Sequence, residues 1–188
     1  MRKCARQSGI GLQGGMPVTN RRRYAVVGLG SRARFFYQAI ASTFRETGEL
    51  VAFCDMNQGR MDYANSMLVN ECGSDPVPTY RAWEFEEMIN ETRPDIIIVT
   101  TIDRTHHRYI IKAMELGLDV ITEKPMTTDA EKCQAILDAV KKTGRNLRVT
   151  FNYRYAPYNT KIRELIMDGA IGEVNSVHFE WLLVTQHG

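Results

Sequence analysis

YAVVGLGSRARFF, residues 24–36, decides the fold. Tyr24-Ala25-Val26-Val27 is a short β-rich apolar run that ends in glycine, as a buried strand does. From Arg32 to Thr47 the apolar residues Ala33, Phe36, Ile40 and Phe44 recur at intervals of three and four, which predicts a helix closed by Gly48. Between strand and helix lies Gly28-Leu29-Gly30-Ser31-Arg32-Ala33, a G-x-G-x-x-A turn. Gly28 permits the tight turn, Gly30 lets an anion approach the backbone, and Ala33 keeps the helix close to the sheet. The N-terminus of the helix favours a negative group such as a pyrophosphate. Six residues alone would be weak evidence; the strand before them and the helix after them make the pattern specific.

Working outward, the second strand, Leu50 to Cys54, ends at Asp55, 22 residues beyond Ala33. An acid at that point accepts ribose hydroxyls and repels a 2′-phosphate, which favours NAD over NADP. Arg60 blurs that preference, and helix capping is the competing role for Asp55. A second helix is expected from Gly59 to Glu71, with Met61, Ala64 and Leu68 on one face. Pro76-Val77-Pro78-Thr79-Tyr80 can form only a short or edge strand, and Trp83 to Glu91 reads as helix. Ile96-Ile97-Ile98-Val99 is apolar at every position, the pattern of a parallel strand covered on both faces. A helix from Thr105 to Leu116 closed by Gly117 follows, then a strand over 119–122. Thr128 and Glu131 predict a capping box for a helix running to Thr143, stopped by Gly144, before a strand from Leu147 to Phe151. This alternation predicts an α/β fold, an open and doubly wound parallel sheet of the Rossmann kind.

Past Asn152 the pattern changes. Pro157 opens a helix through Asp168, and Gly169 and Gly172 precede a strand-like run from Val174 to Thr185 that has no partner after it. The expected division is a basic arm over 1–22, a dinucleotide-binding domain over 23–150, and the start of a truncated α+β second domain over 151–188. The unshielded last run predicts pairing with another copy, as a homo-oligomer, or with chain beyond Gly188.

The bulk properties agree. Of 188 residues, 44% are apolar and 24% charged, as in a soluble globular protein. Residues 1–23 carry six basic groups and no acid, so the net charge of +2 hides a mildly acidic body behind a basic arm. No basic stripe with interleaved aromatics follows, which speaks against nucleic acid as a partner. The arm has no apolar run of signal-peptide length; an organelle leader and translation from Met16 are the alternatives. Cys4, Cys54, Cys72 and Cys133 form no C-x-x-C pair, and no apolar segment reaches membrane-spanning length. A reducing cytoplasm is the expected setting, without membrane association.

VITEKPMTTD, residues 120–129, then acquires a place. It lies where a late parallel strand ends, the sheet edge at which open α/β folds bind ligands. Lys124 there can hold a substrate hydroxyl and share its proton. Glu123 orients Lys124 or a helix end rather than abstracting a proton. His106 serves either the site or a structural hydrogen bond at a helix start, while His107 and Arg108 read as solvated neighbours. Adjacent helix positions point about 100° apart, so His106 and His107 build no metal site.

In GLGSRA (28–33), Asp55, TTIDRTHH (100–107), EKP (123–125), FNYRYAP (151–157) and KIRELIMDGAIGEV (161–174), the chain resembles the Gfo/Idh/MocA oxidoreductases over roughly residues 23–188. The resemblance implies NAD-dependent oxidation of a sugar, polyol or related hydroxy compound, with NADP the lesser cofactor. It makes Lys124 the active-site lysine, aimed by the turn that Pro125 sets, where both cis and trans Lys124–Pro125 bonds stay open. Gly28, Gly30, Ser31, Arg32, Ala33, Asp55, Thr101, Ile102, His106, Glu123, Lys124, Asn152 and Arg154 become its cofactor-cleft residues. His187 becomes a catalytic candidate on the substrate side. One departure is Thr101-Ile102-Asp103, where the family usually shows Thr-Pro-Asn. Two alternatives stay open: redox-neutral glycoside cleavage with tightly held NAD, and an NAD-binding sensor without turnover.

Overall fold

The computed structural model describes residues 21–182. His187 and most of the basic arm lie outside the described residues. The strands are β1 (Arg22–Val27), β2 (Gly48–Asp55), β3 (Thr79–Arg81), β4 (Ile96–Val99), β5 (Asp119–Glu123) and β6 (Leu147–Thr150). The helices are α1 (Ala33–Ala41), α2 (Gln58–Met67), α3 (Phe85–Thr92), α4 (His106–Glu115), α5 (Ala130–Thr143) and α6 (Pro157–Met167). The strands form one sheet in the order β3-β2-β1-β4-β5-β6. β1 pairs in parallel with both β2 and β4, so the chain's progress across the sheet reverses between them. That reversal is the point at which a doubly wound sheet opens a crevice.

β4 shows why the fold is doubly wound. All four of its residues are buried, and they divide by strand alternation. Ile97 and Val99 join Met88 of α3, Ile110 and Met114 of α4 and Ile136 of α5. Ile98 faces the other way, into the cluster of Tyr37, Ile40, Met61 and Leu68. Truncating a fully buried residue such as Ile97 to alanine is worth about 2–5 kcal/mol.

Local structure departs from the sequence pattern at three places. Helix α1 ends at Ala41, and Phe44 is exposed. The Ser42 N–H makes an ordinary i→i−4 bond to the Gln38 carbonyl at 2.9 Å, which the Ser42 hydroxyl shares at 2.6 Å, and beyond it the Phe44 N–H reaches the Ala39 carbonyl instead, at 2.8 Å. Tyr37, not Phe36, is the buried aromatic, and Gly48 begins β2 rather than closing a helix. At α5 the cap is Asp129, whose carboxylate accepts the Lys132 N–H at 2.9 Å, in place of the Thr128–Glu131 box. An extended Asp129 sets an oxygen against an orphan N–H that Thr128, one residue earlier, is not placed to serve. Lastly, Val174 to Leu182 forms no strand. A strand takes its hydrogen bonds from a neighbour, and this segment has none among the described residues.

Two compact units divide after Val149. The second holds the turn of 3-10 helix at Asn152–Tyr155 and helix α6, with Pro157 in its first turn. Within it the Tyr153 and Trp181 rings lie 5.6 Å apart, and apolar side chains including Ile162, Val177 and Phe179 are exposed.

Candidate cofactor and active site

Four strand ends meet at the carboxyl edge of the sheet. β1 runs into the glycine turn, where Gly28 has φ +86°. A Cβ on Gly28 would fall 2.5 Å from the Thr101 backbone, so only glycine allows the β1 and β4 ends to approach so closely. The Thr100 hydroxyl donates to the Gly28 carbonyl at 2.6 Å, locking the two ends together. At Gly30 the situation is opposite: a Cβ would meet nothing within 4 Å. The backbone of the turn opens onto free space at the N-terminus of α1, and an anion such as a pyrophosphate fits there. Beside it, Leu29, Gly30, Ser31, Arg60 and Tyr63 line a cleft of about 450 Å³.

Asp55, at the end of β2, is 6% exposed. One carboxylate oxygen accepts the Leu29 N–H at 2.6 Å and the other the Asn57 N–H at 2.8 Å. Its capping neighbour is Asn57, whose side chain accepts the Arg60 N–H at the start of α2. Asp55 therefore braces the glycine turn and leaves the capping to Asn57. Its remaining lone pairs are what a ribose could use. Beside it, burial first and the Asp55 charge second push the Cys54 thiol up to about 12. That thiol stays protonated and is no nucleophile.

From β4, Thr101 and Ile102 lead towards α4, and Ile102 stands 63% exposed. His106 is buried, with Nδ1 2.9 Å from the Pro125 carbonyl and Nε2 2.9 Å from the Thr101 carbonyl. It therefore ties the loop after β4 to the turn after β5. A neutral imidazole has one N–H and donates to only one of the two. His107, read as a solvated neighbour, is half-buried instead. Its Nδ1 has no hydrogen-bond partner among the described residues, and burial, with Lys132 and Arg108 nearby, lowers its pKa. It turns inward because its helix packs against α5. No cluster of metal-ligating side chains exists among the described residues.

β5 delivers Glu123, Lys124 and Pro125, joined by a cis Lys124–Pro125 bond. Glu123 is buried. It accepts the Lys124 N–H at 3.1 Å and the Arg32 Nε–H at 2.8 Å. The Lys124 ammonium makes no ion pair or hydrogen bond with the described residues and faces solvent. The structure thus brings the glycine turn, Asp55, Thr101, Ile102, His106, Glu123 and Lys124 to one edge of the first unit. Asn152 and Arg154 lie on the exposed turn that opens the second unit, and His187 falls outside the described residues. Sequence reasoning missed the Arg32–Glu123 pair. Its only trace was an arginine at the end of the glycine turn and an acid at the end of β5, 91 residues apart.

Comparison with known proteins bears on this geometry. The family model GFO_IDH_MocA, an oxidoreductase family with an NAD-binding Rossmann fold, matches residues 22–151. Over 162 residues the chain is 37% identical to "Putative oxidoreductase YteT" of Bacillus subtilis, covering 86% of this chain and 37% of that protein. It is 29% identical over 153 residues to D-glucoside 3-dehydrogenase of Escherichia coli, covering 81% and 41%. Among solved structures, myo-inositol 2-dehydrogenase from Lactobacillus plantarum superposes with a TM-score of 0.68 at 25% identity, covering 82% and 43%. The chain spans less than half the length of each of these relatives.

Proposed function

The chain belongs to the Gfo/Idh/MocA oxidoreductases, an NAD-binding family, and on that premise we propose that it is the nucleotide-binding part of an NAD-dependent dehydrogenase. The substrate is a sugar, polyol or related hydroxy compound. One observation carries the proposal: an open glycine turn and a lysine ammonium with no partner among the described residues share the carboxyl edge of one parallel sheet. The glycine turn and the N-terminus of α1 hold the pyrophosphate, and Asp55 serves the adenosine ribose. Thr101 and Ile102 cover the nucleotide from the β4 side. When bound, the nicotinamide supplies a hydride acceptor for the carbinol carbon. Lys124 holds the substrate oxygen and shares its proton, while Glu123 and His106 keep the Lys124–Pro125 turn in place. Asn152 and Arg154 are proposed as cofactor-binding residues on the family resemblance. The division at residues 22 and 150 and self-association through the apolar run after Val174 are parts of the same proposal. No helix among the described residues is long and apolar enough to cross a membrane, and a cytoplasmic setting is proposed with the rest.

A panel of sugars and polyols assayed for NADH formation tests the chemistry. Turnover that Lys124→Ala abolishes supports it. Tight NAD binding with no turnover across the panel, in any form of the protein that carries this chain, points to a dinucleotide sensor instead.

A further inference from the structure

Arg32 occupies the N-cap position of α1, at the end of the glycine turn. Its guanidinium sits 5.7 Å from the Phe35 ring centroid, and its Nε donates to Glu123 at 2.8 Å. The arginine side chain is 40% exposed and the glutamate 8%. The two terminal amino groups of the guanidinium have no hydrogen-bond partner among the described residues. Glu123 spends its second oxygen on the backbone N–H of Lys124. Two bonds therefore lead from the mouth of the anion cradle to the backbone of the lysine proposed to handle substrate.

We propose that Arg32 is a positioning residue that couples nucleotide binding to the setting of Lys124. Its terminal N–H groups take a phosphate oxygen of the dinucleotide, while its Nε keeps hold of Glu123. The planar guanidinium suits this, because its donors point along separate directions and can serve two anions at once. Filling the cradle then restricts the guanidinium, through it Glu123, and through Glu123 the turn that presents Lys124. An arginine holding Glu123 alone would stabilise the fold without reporting on the nucleotide. The inference rests on the proposed nucleotide site, and its test separates the two.

The probe is ADP-ribose, which carries the pyrophosphate but no nicotinamide to cover Lys124 directly. Affinity is read by calorimetry, and the setting of Lys124 by its acetylation rate, followed by peptide mass spectrometry with exposed Lys141 as internal reference. In the wild-type chain, saturating ADP-ribose is expected to change the Lys124 rate about fivefold and leave Lys141 unchanged. Arg32→Gln is expected to weaken ADP-ribose about tenfold and, at saturation, to abolish the Lys124 response. Arg32→Lys recovers part of the affinity but not the response, because one ammonium cannot span both anions as a fork does. Glu123→Gln, which keeps the shape but removes the charge, also loses the response. Thermal melting confirms that each variant is folded.

A Lys124 response that survives Arg32→Gln at saturation overturns the coupling. So does a wild-type chain that binds ADP-ribose with no change at Lys124. A wild-type chain that binds neither NAD nor ADP-ribose removes the nucleotide site itself, and the coupling falls with it.

Discussion

The Asp55 carboxylate accepts the Leu29 N–H at 2.6 Å, joining the end of β2 to the tip of the glycine turn. The residue proposed to set cofactor preference therefore also braces the loop proposed to receive the phosphates. Its two jobs separate by substitution. Asp55→Ala leaves the buried Leu29 N–H without its acceptor and is expected to cost about 2–3 kcal/mol in denaturant unfolding. Asp55→Asn keeps an oxygen for Leu29 but removes the charge that repels a 2′-phosphate. It is expected to lose less stability and to narrow the gap between NAD and NADP affinities. Equal stability for the two variants would remove the bracing role.

The glycines of the turn are not equivalent. Gly28→Ala forces a Cβ against the Thr101 backbone at positive φ and is expected to destabilise the fold by about 3 kcal/mol or more. Gly30→Val meets open space, so its melting temperature should stay near that of the wild type while NAD binding disappears. A Gly30→Val chain that still binds NAD would locate the nucleotide elsewhere.

His106 spans two loops. His106→Ala leaves the Thr101 and Pro125 carbonyls without their facing nitrogens and opens a cavity, at a cost of about 3 kcal/mol. His106→Gln restores one donor and is expected to recover part of that loss. Denaturant curves for the three proteins decide it, and a His106→Ala chain as stable as the wild type would contradict the bridging role.

Acid sensitivity has one identifiable source at the far end of β5. Burial alone would raise the Asp119 carboxyl. The backbone and side-chain N–H groups of Asn146, with Arg145 and Arg22 nearby, outweigh it and hold Asp119 below the ordinary aspartate range. A depressed carboxyl adds stability that is present above the unfolded value, about 3.9, and is lost as pH falls through the lower folded value. The melting-temperature gap between wild type and Asp119→Asn should be full at neutral pH and close on the acid side. A gap that is constant with pH would assign the effect to packing.

Most of the fold was legible because its signals are local. The glycine turn reads from six consecutive residues, β4 from its unbroken apolar run, and the helix ends at Gly117 and Gly144 from residues whose φ is positive in the structure. What escaped were choices between neighbours. Helix α1 stops at Ala41 with Ser42 as its C-cap, short of the Thr47 that the apolar spacing allows, and Asp129 rather than Thr128 caps α5, where either residue would satisfy the sequence rule. For the candidate site, the sequence offers individual residues but not the bonds between them. Asp55, His106 and Lys124 stand out singly. The bonds from Arg32 to Glu123 and from His106 to Pro125 join residues 91 and 19 positions apart, and only the assembled sheet edge brings them together. The stretch from Val174 to Leu182 forms no strand, because a strand-like composition states a preference, whereas a ladder also needs a partner.

The most direct test is calorimetric titration of the chain with NAD and, separately, with NADP. Micromolar binding of NAD and much weaker binding of NADP is the predicted result, with the glycine turn and Asp55 in the roles proposed for them. If neither dinucleotide binds, the sheet edge is a scaffold without a working nucleotide site, and the proposed function is contradicted.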